Sequence, residues 1–212
     1  VQNDNRTMTA DTAPSTRIRS RRWRVVDIVI AAVLGVAIGL VFWAWNAIGG
    51  LWYEGMNALT PGFGGIAVGI WLIGGVVGGL IIRKPGAAVL VEVIAAIVSA
   101  LIGNAWGIST IYSGLAQGLG AEIVFALFAY RFFGPGVAAL AGAGAGAGAW
   151  LLEFFLYGNI AKSVEFNTIY LASLLVSGAI LAGLLGWVLV RGLASTGALS
   201  RFAAGRESGR EA

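Results

Sequence analysis

Three acidic residues sit inside stretches that are otherwise apolar. Glu92 lies in "RKPGAAVLVEVIAAIVSALIG" (83–103), Glu122 in "GLAQGLGAEIVFALFAY" (114–130) and Glu153 in "AGAGAWLLEFFLYG" (145–158). In hydrocarbon an ionisable side chain costs at least ~2.5 kcal/mol, so it normally faces a cavity or a partner. At about 1.5 Å per helical residue, Glu92 falls roughly 12 Å from Lys84 and Glu122 roughly 13 Å from Arg131. The spacing predicts a shared depth near the bilayer midplane for these two, with Glu153 roughly 8 Å from the far end of its stretch. No Lys or Arg falls at midplane depth. Three carboxyls without an intramembrane base suit a cationic or amine-bearing ligand. The competing reading is a set of protonated, hydrogen-bonded structural carboxyls.

Other polar and aromatic residues fall near these acids. Gln117 lies one and a half turns from Glu122, and Asn104, Trp106 and Tyr112 flank the turn between the Glu92 and Glu122 stretches. Trp71 is mid-way along an apolar run, and Tyr157 lies just beyond Glu153. Their rings could stack on a flat heterocycle or contact a cation. Gln117 and Glu122 are about 140° apart on an ideal helix. Gly118 and Gly120 are expected to loosen that turn enough for both to reach one pocket.

Several chemistries are excluded. There is no cysteine and no histidine, so thiol chemistry, disulfides and the commonest metal ligand are all missing. There is no G-x-x-x-x-G-K-[ST], H-E-x-x-H or G-x-S-x-G motif. The chain is therefore expected to bind no cofactor or metal, to hydrolyse no ATP by itself and not to be an enzyme.

The elements that position these residues must be membrane helices. Of the 212 residues, 58% are hydrophobic and 11% charged, against about 25% charged in ordinary globular domains; the mean hydropathy is +0.85. Continuous apolar runs without alternation predict helices rather than barrel strands. A span needs about 20 mostly apolar residues, which gives an all-α membrane protein with six transmembrane helices at 25–48, 63–82, 86–103, 110–131, 136–158 and 168–190. Residues 1–22 read as a disordered basic tail, 23–191 as the membrane domain and 192–212 as a cytoplasmic C-terminal tail. The apolar stretch behind the basic run is about 24 residues, too long for a signal-peptide core.

Charge sets the expected orientation. Of the 14 Lys and Arg, all but Lys162 fall on one side of this topology. The positive-inside rule places that side, and with it both termini, in the cytoplasm. The net charge of +4 is thereby explained without nucleic acid. Small residues four apart form stripes on most spans, among them Ala31, Gly35 and Gly39 on the first and Gly142, Gly144, Gly146 and Gly148 on the fifth. Such stripes let helix backbones approach closely. For span 1 the stripe suits either packing within the bundle or contact with another protein. No internal repeat supports an inverted-repeat transporter.

Two blocks, "IIRKPGAAVLVEVIAAIVSALIGN" (81–104) and "QGLGAEIVF" (117–125), resemble the YkoE family, the substrate-binding S components of energy-coupling factor (ECF) transporters for thiamin and its pyrimidine precursor. "LAGLLG" (181–186) and "LASTGAL" (193–199) look like that family too. The resemblance implies a six-helix S-component bundle in a bacterial cell membrane with an outward-facing pocket. It also implies a membrane scaffold (T) subunit and partner ATPases that use ATP. The family motif carries over onto Glu92, Asn104, Gln117 and Glu122, and Glu153 stands where similar proteins have an acid. The stripe of Ala31, Gly35 and Gly39 resembles the scaffold-docking surface of S components. One carboxylate can engage both the amine and the ring nitrogen of an aminopyrimidine as a bidentate pair. Glu122 is the first choice for that role and Glu92 the second, while Glu153 could hold a thiazolium cation.

Two other classes compete. In a stand-alone proton-coupled carrier the glutamates would titrate during transport, and an uncoupler would abolish uptake by this chain alone. In a membrane enzyme or assembly factor the carboxyls would be structural.

Overall fold

The computed structural model describes residues 22–202, 204 and 205. The expected N-terminal tail, apart from Arg22, and the end of the C-terminal tail lie outside the described residues. All regular structure among those described is helical. Helix α1 runs Val25–Leu59. The second span joins α2 (Gly65–Val68), a 3₁₀ turn (Gly69–Leu72) and α3 (Ile73–Ile82). Helices α4 (Ala87–Ile102), α5 (Ser109–Leu127) and α6 (Pro135–Leu156) follow. The last span joins α7 (Val164–Ser177), a π-helical segment (Gly178–Leu184) and α8 (Leu185–Ser195). Five of the spans are long and apolar enough to cross a membrane; the remaining one, α4, is a shorter apolar helix of 16 residues.

The second span is the axis of the bundle. In Gly65–Ile82, 83% of the residues are buried, against 28% in the most apolar part of α1. Every residue of α3 is buried, as expected of a helix that is apolar on all sides. Close approach depends on the glycine stripes. A Cβ at Gly144 on α6 would come within 2.6 Å of the Gly120 carbonyl oxygen on α5, and one at Gly146 within 2.6 Å of the Leu174 carbonyl oxygen on α7.

The stripe on α1 packs the same way, which corrects its expected role as a partner interface. Ala31 is fully buried. A Cβ at Gly35 would meet Ile94 Cγ2 at 2.5 Å, and one at Gly39 would meet Val98 Cβ at 2.6 Å. The small residues admit the β-branched side chains of α4, so they are covered inside the bundle.

Three boundaries also differ from expectation. Helix α1 continues past Gly49 and Gly50 for nine more residues to Leu59; tandem glycines weaken a helix without ending it. Helix α5 stops at Leu127, and Ala129 and Tyr130 turn back with positive φ (52° and 53°). Beyond residue 191, α8 continues to Ser195, and Leu199, Phe202 and Ala204 are buried, so part of the expected tail packs against the core.

One end of the bundle is basic. There Lys84 pairs with the buried Asp27 at the start of α1 and donates to the Arg22 carbonyl at 2.6 Å. Arg24 also pairs with Asp27, at 3.0 Å, and Trp23 Nε1 donates to the Pro85 carbonyl at 3.0 Å. These contacts fasten the start of α1 to the loop between α3 and α4.

Candidate functional site

A cavity of about 520 Å³ lies at the opposite end. Its walls come from the second half of α1, the 3₁₀ turn of the second span, α4, the first half of α5, the end of α6 and the start of the last span. Of the expected site residues it gathers Glu92, Gln117, Glu153, Trp71, Trp106 and Tyr157.

Glu92 is fully buried and borders the cavity. Its Oε2 accepts the backbone N–H of Gly75. Gly75 is the third residue of α3, so its N–H belongs to the donors that a helix start leaves without an intrahelical partner. Oriented to satisfy its neighbours, the Gln117 amide nitrogen donates to Glu92 Oε1 at 3.3 Å and to the Trp71 carbonyl at 3.2 Å. The break from 3₁₀ to α geometry in the second span thus supplies the donor that orients Glu92.

The same break presents Trp71. Its Nε1 donates to Asn46 Oδ1 at 2.8 Å, and Asn46 Nδ2 donates to Ser99 Oγ at 3.0 Å. The Trp71 ring meets that of Trp106 edge to face, 5.5 Å between centroids. Asn104 is not a cavity-wall residue. Its Oδ1 accepts the N–H groups of Trp106 (2.9 Å) and Gly107 (2.8 Å) and the Thr110 hydroxyl (3.2 Å), while its Nδ2 donates to Ser99 Oγ at 3.4 Å. Asn104 therefore shapes the α4–α5 loop that carries Trp106.

Nearer the end of the bundle, Glu153 Oε2 accepts the Tyr170 hydroxyl at 2.6 Å. Tyr170 is stacked on Phe166 (5.6 Å) and meets Tyr53 edge to face (6.2 Å). Tyr157 donates to the Ser109 carbonyl at 2.9 Å and ties the end of α6 to the start of α5. Lys162 also borders the cavity, its Nζ 4.1 Å from the Phe166 ring centroid.

Besides Asn104, two expected residues lie outside the cavity wall. Glu122 is at the basic end, where its Oε1 accepts from Gly86 N (2.6 Å) and the Tyr130 hydroxyl (2.7 Å) and its Oε2 from Ala88 N (2.9 Å). It caps the start of α4, where a carboxylate satisfies orphan donors and complements the helix dipole. The shared depth with Glu92 fails because the chain turns back after Leu127, so counting nine helical residues from Arg131 overstates the rise. Tyr112 is 54% exposed on α5 and does not border the cavity.

Asn46, Tyr53, Glu54 and Tyr170 border the cavity but were not singled out in the sequence. Three of them lie on α1, at or beyond the end expected for span 1. Continuing that helix through Gly49 and Gly50 would have kept Tyr53 and Glu54 on the same helix as Asn46. Lys162 was recognisable as the lone cation of its side, but not as a neighbour of Glu153.

A family model described as "ABC-type cobalt transport system, permease component" matches residues 26–148. YkoE of Bacillus subtilis (strain 168), a protein named as an HMP/thiamine permease, is 39% identical over 191 residues, 88% of this chain and 92% of that one. The crystal structure of an S-component of an ECF transporter superposes with a TM-score of 0.83 at 36% identity, covering 90% of this chain and 95% of that one.

Proposed function

The chain belongs to this permease family as a relative of YkoE and a substrate-binding S component of the ECF type, and from that premise we propose that its cavity captures thiamin or its hydroxymethylpyrimidine precursor. It is a multi-pass membrane protein whose relatives transport rather than catalyse. In the proposed cycle the basic end faces the cytoplasm and the cavity faces outside. A scaffold (T) subunit and ATPase subunits couple ATP hydrolysis to delivery of the bound ligand.

One observation carries the ligand assignment. Among the described residues of the cavity wall, the carboxyls of Glu54, Glu92 and Glu153 outnumber the single ammonium of Lys162, and the indoles of Trp71 and Trp106 meet edge to face. A volume of about 520 Å³ falls within the usual range for small-molecule pockets, about 300–1,000 Å³. That combination suits a flat, amine-bearing or cationic heterocycle. A thiazolium would lie toward Glu153, and an aminopyrimidine edge would pair with Glu92. Glu92, which borders the cavity, takes the role expected of Glu122, which lies at the basic end and does not border it.

Cobalt, which the family description names as cargo, fits these residues poorly. Imidazole and thiolate are the favoured protein ligands for such ions, and the chain has neither His nor Cys. Among the described residues no group of three or more acids gathers at one point.

The test is calorimetry on the purified chain without ATP. Saturable heat with thiamin or hydroxymethylpyrimidine at micromolar concentration is expected, and no heat with either compound would sink the ligand assignment. Uptake that needs the scaffold and ATPase subunits separates this reading from a proton-coupled carrier.

A further inference from the structure

The turn between α6 and α7 presents one more polar group to the carboxylate-lined cavity. Asn159 opens the 3₁₀ turn Asn159–Ala161, directly after Gly158, whose left-handed backbone (φ 80°) turns the chain at the end of α6. Asn159 is 4% exposed and borders the cavity. Its backbone carbonyl accepts twice, from Lys162 N–H at 3.0 Å and from Asn167 Nδ2 at 2.8 Å. Its side-chain amide has no hydrogen-bond partner among the described residues. Burying an amide unpaired is costly, and buried side-chain polar groups nearly always have a partner. Asn167 Oδ1 nearby is also unpaired, but it is sealed inside the protein. The amide atoms of Asn159 are not sealed, and the space they open on is the cavity.

Asn167 fixes that turn in place. It is buried on α7, and its Nδ2 is shared among the carbonyls of Asn159, Ser163 (3.1 Å) and Lys162 (3.4 Å). Its own carbonyl accepts Trp150 Nε1 from α6 at 3.2 Å. About one turn further along α7, Tyr170 donates its hydroxyl to Glu153. The same stretch of α7 therefore holds both the Asn159 turn and the Glu153 carboxyl. The amide is placed before any ligand arrives, which lowers the ordering cost of binding.

We propose that Asn159 recognises the hydroxyl at the end of the hydroxyethyl arm of thiamin. This rests on the ligand assignment above, which puts the thiazolium toward Glu153. The arm is attached to that ring, so its hydroxyl falls on the side of the cavity that the α6–α7 turn closes. An amide offers an acceptor oxygen and two N–H donors, and a hydroxyl both donates and accepts, so it can satisfy either half. Glu153 and Lys162 act on the cation whether or not the arm carries an oxygen. Asn159 is the residue that makes the distinction. A ligand without the hydroxyl leaves its amide unpaired in a filled cavity, which is how a polar site rejects an analogue that lacks its partner.

Calorimetry of the full chain in detergent tests this, with thiamin and with the analogue that carries ethyl in place of hydroxyethyl. The wild type should bind thiamin about tenfold more tightly than the analogue. Asn159→Ala should lose that preference, the two ligands binding within about twofold of each other. Its unfolding midpoint should stay near that of the wild type, because the amide supports no other residue. Asn159→Asp keeps an acceptor for the hydroxyl and should restore the preference. Both ligands carry the same cation, so the added charge cancels in the ratio of their affinities. Equal affinity of the wild type for the two ligands overturns the proposal, and so does a preference that survives in Asn159→Ala. Failure of the wild type to bind thiamin at all removes the ligand assignment and this proposal with it, so the two failures are told apart.

Discussion

With its amide turned to satisfy its neighbours, Gln117 donates to Glu92 Oε1 at 3.3 Å and to the Trp71 carbonyl oxygen at 3.2 Å. One side chain on α5 therefore links the buried acid on α4 to the aromatic turn of the second span. Gly75 N–H completes the arrangement by donating to the other oxygen of Glu92. A carboxylate so held keeps its orientation before any ligand arrives.

Replacing Glu92 with Gln retains an acceptor for Gly75 but removes the charge. Losing a hydrogen bond to a charged group costs about 1.5–3 kcal/mol, roughly a ten- to hundredfold fall in affinity. Titration of the variant with thiamin and with hydroxymethylpyrimidine should show that fall for both. Wild-type affinity would assign Glu92 to the fold alone.

Glu122→Gln should behave in the opposite way. The carboxylate accepts two backbone N–H groups and a phenol at the start of α4, and the amide can accept fewer of them well. Ligand affinity should stay near wild type while stability falls by about 1–3 kcal/mol. Unfolding midpoints compared with binding isotherms separate the two effects. A loss of affinity at unchanged stability would put Glu122 at the ligand after all.

Asn46 positions Trp71 rather than touching chemistry of its own. Asn46→Ala removes the acceptor of the indole N–H and should weaken ligand binding about two- to tenfold, the range for a neutral hydrogen bond. The ligand-induced change in tryptophan fluorescence should shrink in parallel. An unchanged fluorescence response would show that Trp71 holds its place without Asn46.

Gly35→Leu should destabilise the bundle. Even a methyl group at Gly35 would come within 2.5 Å of Ile94 Cγ2, and overpacking of this kind costs about 1–3 kcal/mol or more. The expected outcome is poor yield or a lowered unfolding midpoint. A well-folded variant that binds ligand and fails only in transport would return the stripe to a docking role.

Lys162 tests the charge logic at the mouth of the cavity. Removing its ammonium in Lys162→Ala leaves Glu153 without a nearby cation and should raise thiamin affinity about two- to fivefold at low salt. Hydroxymethylpyrimidine, which carries no permanent charge, should bind as before. An equal change for both ligands would mean that Lys162 acts through shape.

Composition and charge determined a great deal by themselves. Long apolar runs can leave water only as membrane helices, because every backbone N–H and C=O must then be satisfied within the segment. The clustering of Arg and Lys at alternate connections marked the basic end, which carries Lys84, Arg83 and Arg131. The rarity of polar residues within such runs singled out Glu92, Gln117 and Glu153, all of which border the cavity. What the sequence could not decide is how each helix is rotated and where it stops. Hydropathy says that the stripe of Ala31, Gly35 and Gly39 is smooth, but only packing shows that Ile94 and Val98 fill it. Glu122 and Glu92 look alike in their runs. Their roles diverge because the partners of Glu122 are N–H groups 34 and 36 residues away in the chain, at the start of α4. The continuation of α1 past Gly49 and Gly50 was decided in the same way. The residues beyond them, Tyr53 and Glu54, face a cavity that exists only when α4, α5, α6 and the last span have closed around it.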